Sequence, residues 1–225
     1  MPAGYNAGMA INKHQALRVL AIGLLFLGLG IAASLLLNSR HPPPQSANNI
    51  RGLMWPHPKA LQGFQLQQSN GKAFTLQSLK GHWSFLFFGY THCPDVCPTT
   101  LAMLNQVDRL LEQAPGPKNR QFVFISVDPE RDTLPVLKQY VSYFNPAFIG
   151  ATGSLEQLPS LTRQLGILYV KVPQKNSKDY LVDHSASILL IDPQGQVVGI
   201  FSTPHQAKNI AERFLRIQQF IDEQG

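Results

Sequence analysis

Two short stretches narrow the folds open to this chain. WSFLFFGY, residues 83–90, and QFVFISV, residues 121–127, are apolar at most positions. A strand with one face in water alternates apolar and polar residues, whereas a strand covered on both faces does not. Each run is therefore read as a strand buried inside a layered α/β domain. Between them, TTLAMLNQVDRLLEQA places Leu101, Leu104, Val107, Leu110 and Leu111 at helical spacing. Strand, helix and strand in that order build a parallel sheet.

The flanking segments fit that frame. FQLQQSNGKAFTL, residues 64–76, alternates around Asn70-Gly71, a strong hairpin signal. DTLPVLKQYVSYF reads as a helix with Asp132 or Thr133 as N-cap and Pro135 in its first turn. AFIGATG is strand-like, LEQLPSLTRQLG is helical and ends at Gly166, and ILYVKV is a strand. SASILLIDPQGQVVGIF reads as two strands joined by an Asp-Pro-x-Gly turn, and HQAKNIAERFLRIQQFI as a closing amphipathic helix. The expected fold class is α/β, a thioredoxin-like fold with insertions. The third helix and the strand after it form the main insertion.

Residues 19–37, VLAIGLLFLGLGIAASLLL, carry no charge and approach the ~20 residues that cross a bilayer as a helix. The alternative is a cleaved signal peptide with a small-x-small site at Gly30-Ile31-Ala32, but the apolar run continues to Leu37, longer than a usual signal core. A retained transmembrane anchor is expected. Of the net charge of +6, four units are Lys13, Arg18, Arg40 and Arg51, in a stretch that has no acid. The remainder is close to neutral and gives little support to a nucleic-acid partner. A slight basic bias before the span puts the amino terminus in the cytoplasm. The expected location is the bacterial inner membrane, single-pass, with the carboxy-terminal domain in the periplasm. The expected divisions are a short cytoplasmic segment at 1–18, the anchor at 19–37, a Pro-rich tether at 38–58 and the folded domain at 59–225.

GYTHCPDVCPTT, residues 89–100, holds both cysteines of the chain, Cys93 and Cys97. They fall where a buried strand ends and a helix begins, the place where open α/β sheets gather their sites. A helix start lowers a thiol pKa, and Pro98 suits a first helical turn. A disulfide here would close a very short loop and stabilise little. A redox dithiol and a metal site both remain open, since C-x-x-x-C is one residue longer than the usual redox motif. Of the seven histidines, His14, His41 and His57 lie in the anchor or tether regions. His82 precedes a strand, His205 starts the last helix, and His92 adjoins Cys93, where neighbouring side chains diverge. That leaves His184, in YLVDHSASILL, with Asp183 beside it as a candidate to orient the imidazole. Spacing alone does not bring His184 to the cysteines. Two thiolates and an imidazole would be a soft set suited to Cu(I), or to Cu(II) with an added weak ligand. Structural zinc would want four ligands.

FGYTHCPDVCPTTL, SVDPERDT, FIGATGS and VDHSASILLIDPQG, in this order, resemble the Sco/SenC family from about residue 63 onward. These are membrane-tethered, thioredoxin-like copper proteins that serve cytochrome c oxidase assembly. The resemblance implies one copper per chain, Cu(I) or Cu(II), held by Cys93, Cys97 and His184. It implies a metallochaperone rather than an enzyme, whose partner is the copper domain of oxidase subunit II. Other periplasmic copper carriers or thiol reductants are further partners it suggests. The alternative it leaves is a thiol-disulfide oxidoreductase in which Cys93 and Cys97 reduce the cysteines of that copper site. It assigns no task to Asp95, Asp128 or Asp183, and residues 128–132 are read as a loop fixed by turn and capping bonds. After Thr133 this chain has leucine where the family often has proline.

Overall fold

The structure, a computed structural model, describes residues 13–38, 54–175 and 179–223. The chain divides into two compact units, Met1–Ser46 and Ala47–Gly225. In the first, helix α1 covers Lys13–Asn38 and contains the apolar run. Its side chains are described at 17–18 and 21–31, and all of these are exposed. Among the described residues no helix is long and apolar enough to cross a membrane, so the anchor rests on the sequence.

The second unit is built on an eight-stranded sheet. Its strands are β1 (Met54–Ala60), β2 (Gln65–Gln68), β3 (Ala73–Thr75), β4 (Trp83–Gly89), β5 (Arg120–Ser126), β6 (Ile149–Thr152), β9 (Ile188–Ile191) and β10 (Gln196–Phe201). Their spatial order is β1-β10-β9-β4-β5-β6-β2-β3. The expected parallel unit is at the centre: β4 pairs parallel with β5, Phe85 opposite Phe122 and Phe87 opposite Phe124, and β5 pairs parallel with β6. Every residue of β4 is buried, as its continuous apolar run requires.

Helices α2 (Leu76–Leu79), α3 (Val96–Gln113), α4 (Leu134–Phe144), α5 (Leu158–Leu165) and α6 (Ala207–Asp222) complete the domain. Trp83, Phe85 and Phe87 share one face of β4, because strand side chains alternate. Trp83 and Phe85 meet Phe214 of α6, with ring centroids 5.4 and 5.2 Å apart. Phe124 meets Tyr140 of α4 at 5.5 Å. Thr133 is the N-cap of α4, and Gly166 ends α5 in the left-handed region at φ 67°. The Asn70-Gly71 hairpin forms as expected, with Gly71 at φ 84°.

Two strands escape the sequence reading. β1 pairs antiparallel with β10 and straddles the domain start expected at 59. β8 (Tyr180–His184) pairs with β7 (Tyr169–Pro173) in a hairpin outside the main sheet. The expected insertion is thus a helix followed by a hairpin, and His184 closes β8, four residues ahead of β9.

Candidate metal centre

β4 and β5 run parallel, so the loops that follow them emerge at the same end of the sheet. The first carries both cysteines. Cys97 is the second residue of α3, on the buried face it shares with Leu101 and Leu104. Cys93 is half-buried in the loop, where its N–H donates to the Tyr90 carbonyl at 3.3 Å. The Cys93 sulfur caps the helix: the Cys97 N–H, which has no partner within the helix, donates to Cys93 Sγ at 3.4 Å. The sulfur at the positive end of the helix dipole is therefore that of Cys93. Neither cysteine is in a disulfide.

His184 comes from the hairpin. Its Nδ1 lies 3.1 Å from the Ser185 carbonyl, which can only accept, so Nδ1 carries the proton. The Nε2 lone pair then faces Cys97 Sγ at 3.4 Å. The ring stands edge-on to Phe87 and Tyr90, with centroids 6.2 and 6.0 Å away. The Ser185 N–H donates to the Leu168 carbonyl at 2.9 Å, and His205 bonds the Ala186 carbonyl through Nε2 at 2.8 Å, so the segment after His184 is braced from two sides.

The two sulfurs and one imidazole nitrogen lie within 4.8 Å of one another. Donors that share one ion sit roughly 4 Å apart, given metal bonds of about 2.0 to 2.3 Å, so a small closing movement would seat an ion. Among the described residues this is the one cluster of potential ligands. The thiols are unequal. Interaction with the neighbouring Cys97 thiol, together with backbone N–H groups, brings the Cys93 pKa down to about 5. The neighbouring Cys93 sulfur and burial push the Cys97 thiol up. The negative charge is therefore favoured at the more exposed sulfur, Cys93, over the buried one. An open groove of about 540 Å³, lined by residues including Leu168, Val170 and His184, borders the imidazole.

The structure therefore joins Cys93, Cys97 and His184, and keeps His92 apart, as its place beside Cys93 implies. His92 is exposed and bonds the Thr91 hydroxyl through Nδ1 at 3.1 Å. Asp183 is exposed and points opposite to His184 along β8, so the Ser185 carbonyl, not Asp183, sets the imidazole tautomer.

Three features lay outside the sequence reading. Gly89 ends β4 directly against the site: a Cβ there would lie 2.5 Å from Cys97 Sγ and 2.8 Å from the Phe124 ring. Asp132 is fully buried and accepts from Thr91 N at 2.9 Å, Thr91 Oγ1 at 2.5 Å and Ser126 Oγ at 2.5 Å. Asp128, also fully buried, accepts from Arg131 Nε at 2.6 Å and Tyr180 OH at 2.7 Å. The side chains of the 128–132 loop do not cap α4; they bond instead to both segments that carry the sulfurs and the imidazole. The available signal was three acids, Asp128, Glu130 and Asp132, packed into five residues that follow the buried end of a strand.

A family model described as SCO1/SenC matches residues 56–219. A bovine (Bos taurus) relative, "Protein SCO2 homolog, mitochondrial", is 40% identical over 153 residues, 68% of this chain. This chain spans 58% of that relative's length. A "Putative copper-binding protein" of Stutzerimonas stutzeri is 38% identical over 190 residues, 84% of this chain and 90% of that protein. The crystal structure of Arabidopsis thaliana ScoI with copper bound matches with a TM-score of 0.67 and 36% identity, covering 70% of this chain and 97% of that one.

Proposed function

Because the chain belongs to the SCO1/SenC family, we propose that it binds copper through Cys93, Cys97 and His184 and works as a copper chaperone. The observation that carries this reading is the meeting of two sulfurs from one loop with the Nε2 of a residue 87 positions beyond Cys97. Thiolate and imidazole donors favour Cu(I) over harder ions, and three donors fall short of the four that structural zinc takes. Cys93 is half-buried and His184 borders an open groove, so an incoming thiolate can reach the ion from outside. The acceptor in this proposal is the binuclear copper centre of cytochrome c oxidase subunit II. Residues 19–37 hold the domain on the outer face of a bacterial inner membrane, a reading supported by their length and lack of charge.

The same sulfurs support a second reading, reduction of the acceptor's cysteines. The Cys93 thiolate would attack one sulfur of the acceptor's disulfide and release the other as a thiol. Cys97, after losing its proton, would displace the second acceptor sulfur from Cys93. Two electrons pass to the acceptor and a Cys93–Cys97 disulfide is left. The lowered pKa of the Cys93 thiol favours this chemistry as well.

His184→Ala separates the two readings. It removes the nitrogen donor and keeps both sulfurs. A carrier loses copper affinity by at least the ten- to a hundredfold typical of a lost outer partner, and the oxidase copper centre stays unloaded while the dithiol still cycles. Full oxidase activity with severely impaired copper binding would leave thiol reduction as the function.

A further inference from the structure

His184 belongs to a hairpin that lies outside the eight-stranded sheet, so ladder bonds of that sheet do not fix its position. Its outer face is open, with Leu168 78% and Val170 58% exposed. Besides the brace behind His184, two features help to seat it. One is Val182, which is buried in the core. The other is polar and comes from the 128–132 loop. Asp128 accepts from Tyr180 OH and Arg131 Nε, at 2.7 and 2.6 Å. Arg131 Nη1 donates to the Tyr180 carbonyl at 2.9 Å, and the guanidinium carbon stands 3.6 Å from the centroid of the Tyr180 ring. Lys171 of β7 adds an ion pair to Glu130 at 2.6 Å.

Tyr180 opens β8 and His184 closes it. Movement at the first residue of so short a strand displaces the last. We propose that Arg131, with Asp128 and Tyr180, is a positioning group that latches the β7–β8 hairpin to the 128–132 loop and so holds His184 beside Cys97. Asp132, four residues beyond Asp128, ties the start of the cysteine loop through Thr91. One loop therefore sets the two halves of the site against each other. Ser126 joins the halves, because its hydroxyl donates to Asp132 and accepts from Asp128 N–H at 3.1 Å. The consequence for copper rests on the proposed function; the latch itself does not.

The test uses the full chain with Arg131→Ala and Tyr180→Phe, each alone and combined with His184→Ala. In the reduced, metal-free protein, amide exchange should quicken at least tenfold in β7 and β8 and stay unchanged in β4 and β5. Unchanged hairpin exchange, or equal quickening throughout, overturns the latch. In competition titrations with Cu(I), each variant should lose about tenfold in affinity while His184 is present, and under about twofold once His184 is alanine. Equal losses in both backgrounds would mean a general destabilisation and would also overturn it. If His184→Ala itself leaves affinity unchanged, the copper role of His184 fails, and the exchange result still decides the latch. Arg131→Ala leaves Asp128 buried without its cation. Should that variant not fold, Tyr180→Phe, which removes one hydroxyl and keeps the ion pair, carries the same comparisons.

Discussion

Gly89→Ala adds one methyl group at the most crowded point of the site. An ordinary carbon contact falls at about 3.5 to 4.0 Å. The added Cβ would meet Cys97 Sγ at 2.5 Å and Phe124 atoms at 2.8 and 3.3 Å. Gly89 is not among the glycines with positive φ, so the penalty is steric and not conformational. Phe124 cannot yield easily, because it is buried between Phe87 and Tyr140 at centroid distances of 6.0 and 5.5 Å. The sulfur is then driven away by about 1 Å, the shortfall from an ordinary contact. Metal sites tolerate distance errors of about 0.2 Å, so a displacement of that size should lower copper affinity at least tenfold. Overpacking a core by one methyl costs about 1–3 kcal/mol, a fall in Tm of roughly 2–12 °C for a domain of this size. Thermal unfolding and a copper competition titration measure both effects. Gly63→Ala is the control, because its Cβ would meet nothing within 4 Å. A Gly89→Ala protein that matches the control in Tm and copper affinity would refute the steric argument.

Alkylation of the reduced, metal-free chain should modify Cys93 first, its rate rising through a pH of about 5, with no matching step from Cys97; equal rates at both cysteines would contradict the assignment. Because that pKa lies below the unfolded thiol value of about 8.5, the Cys93 contribution to stability is complete above that value and fades as pH falls through about 5. Asp132→Asn places an amide donor among three existing donors and should cost about 1–3 kcal/mol in urea unfolding, with no loss expected if the network is dispensable. Alkaline carbonate should leave the full chain with the membrane; a soluble mature product that starts near Ala33 would show a cleaved signal instead.

The sequence was most informative where one cause dominates. β4 and β5 are covered on both faces, so their composition is enough to reveal them. The β2–β3 turn needs a positive φ, and Asn70-Gly71 announces it. β1 was missed because Pro56 and Pro58 argue against a strand, yet an edge position tolerates proline, and β1 is at the edge. β8 was missed because YLVDH has one buried residue, Val182, and pairs only with β7. His184 was visible as a candidate by elimination, but nothing local indicates that a hairpin folds back over the cysteines. Gly89 was unreadable for the same reason, since its need for a bare Cα arises from Cys97 and Phe124, which the fold alone brings to it.

X-ray absorption on the Cu(I)-loaded full chain, with copper counted per chain, tests the central claim most directly. One copper with two sulfur neighbours and one nitrogen is expected, and His184→Ala should remove the nitrogen while both sulfurs stay. A sulfur-only shell in the unaltered chain, or the same nitrogen signal after His184→Ala, would contradict the site formed by Cys93, Cys97 and His184.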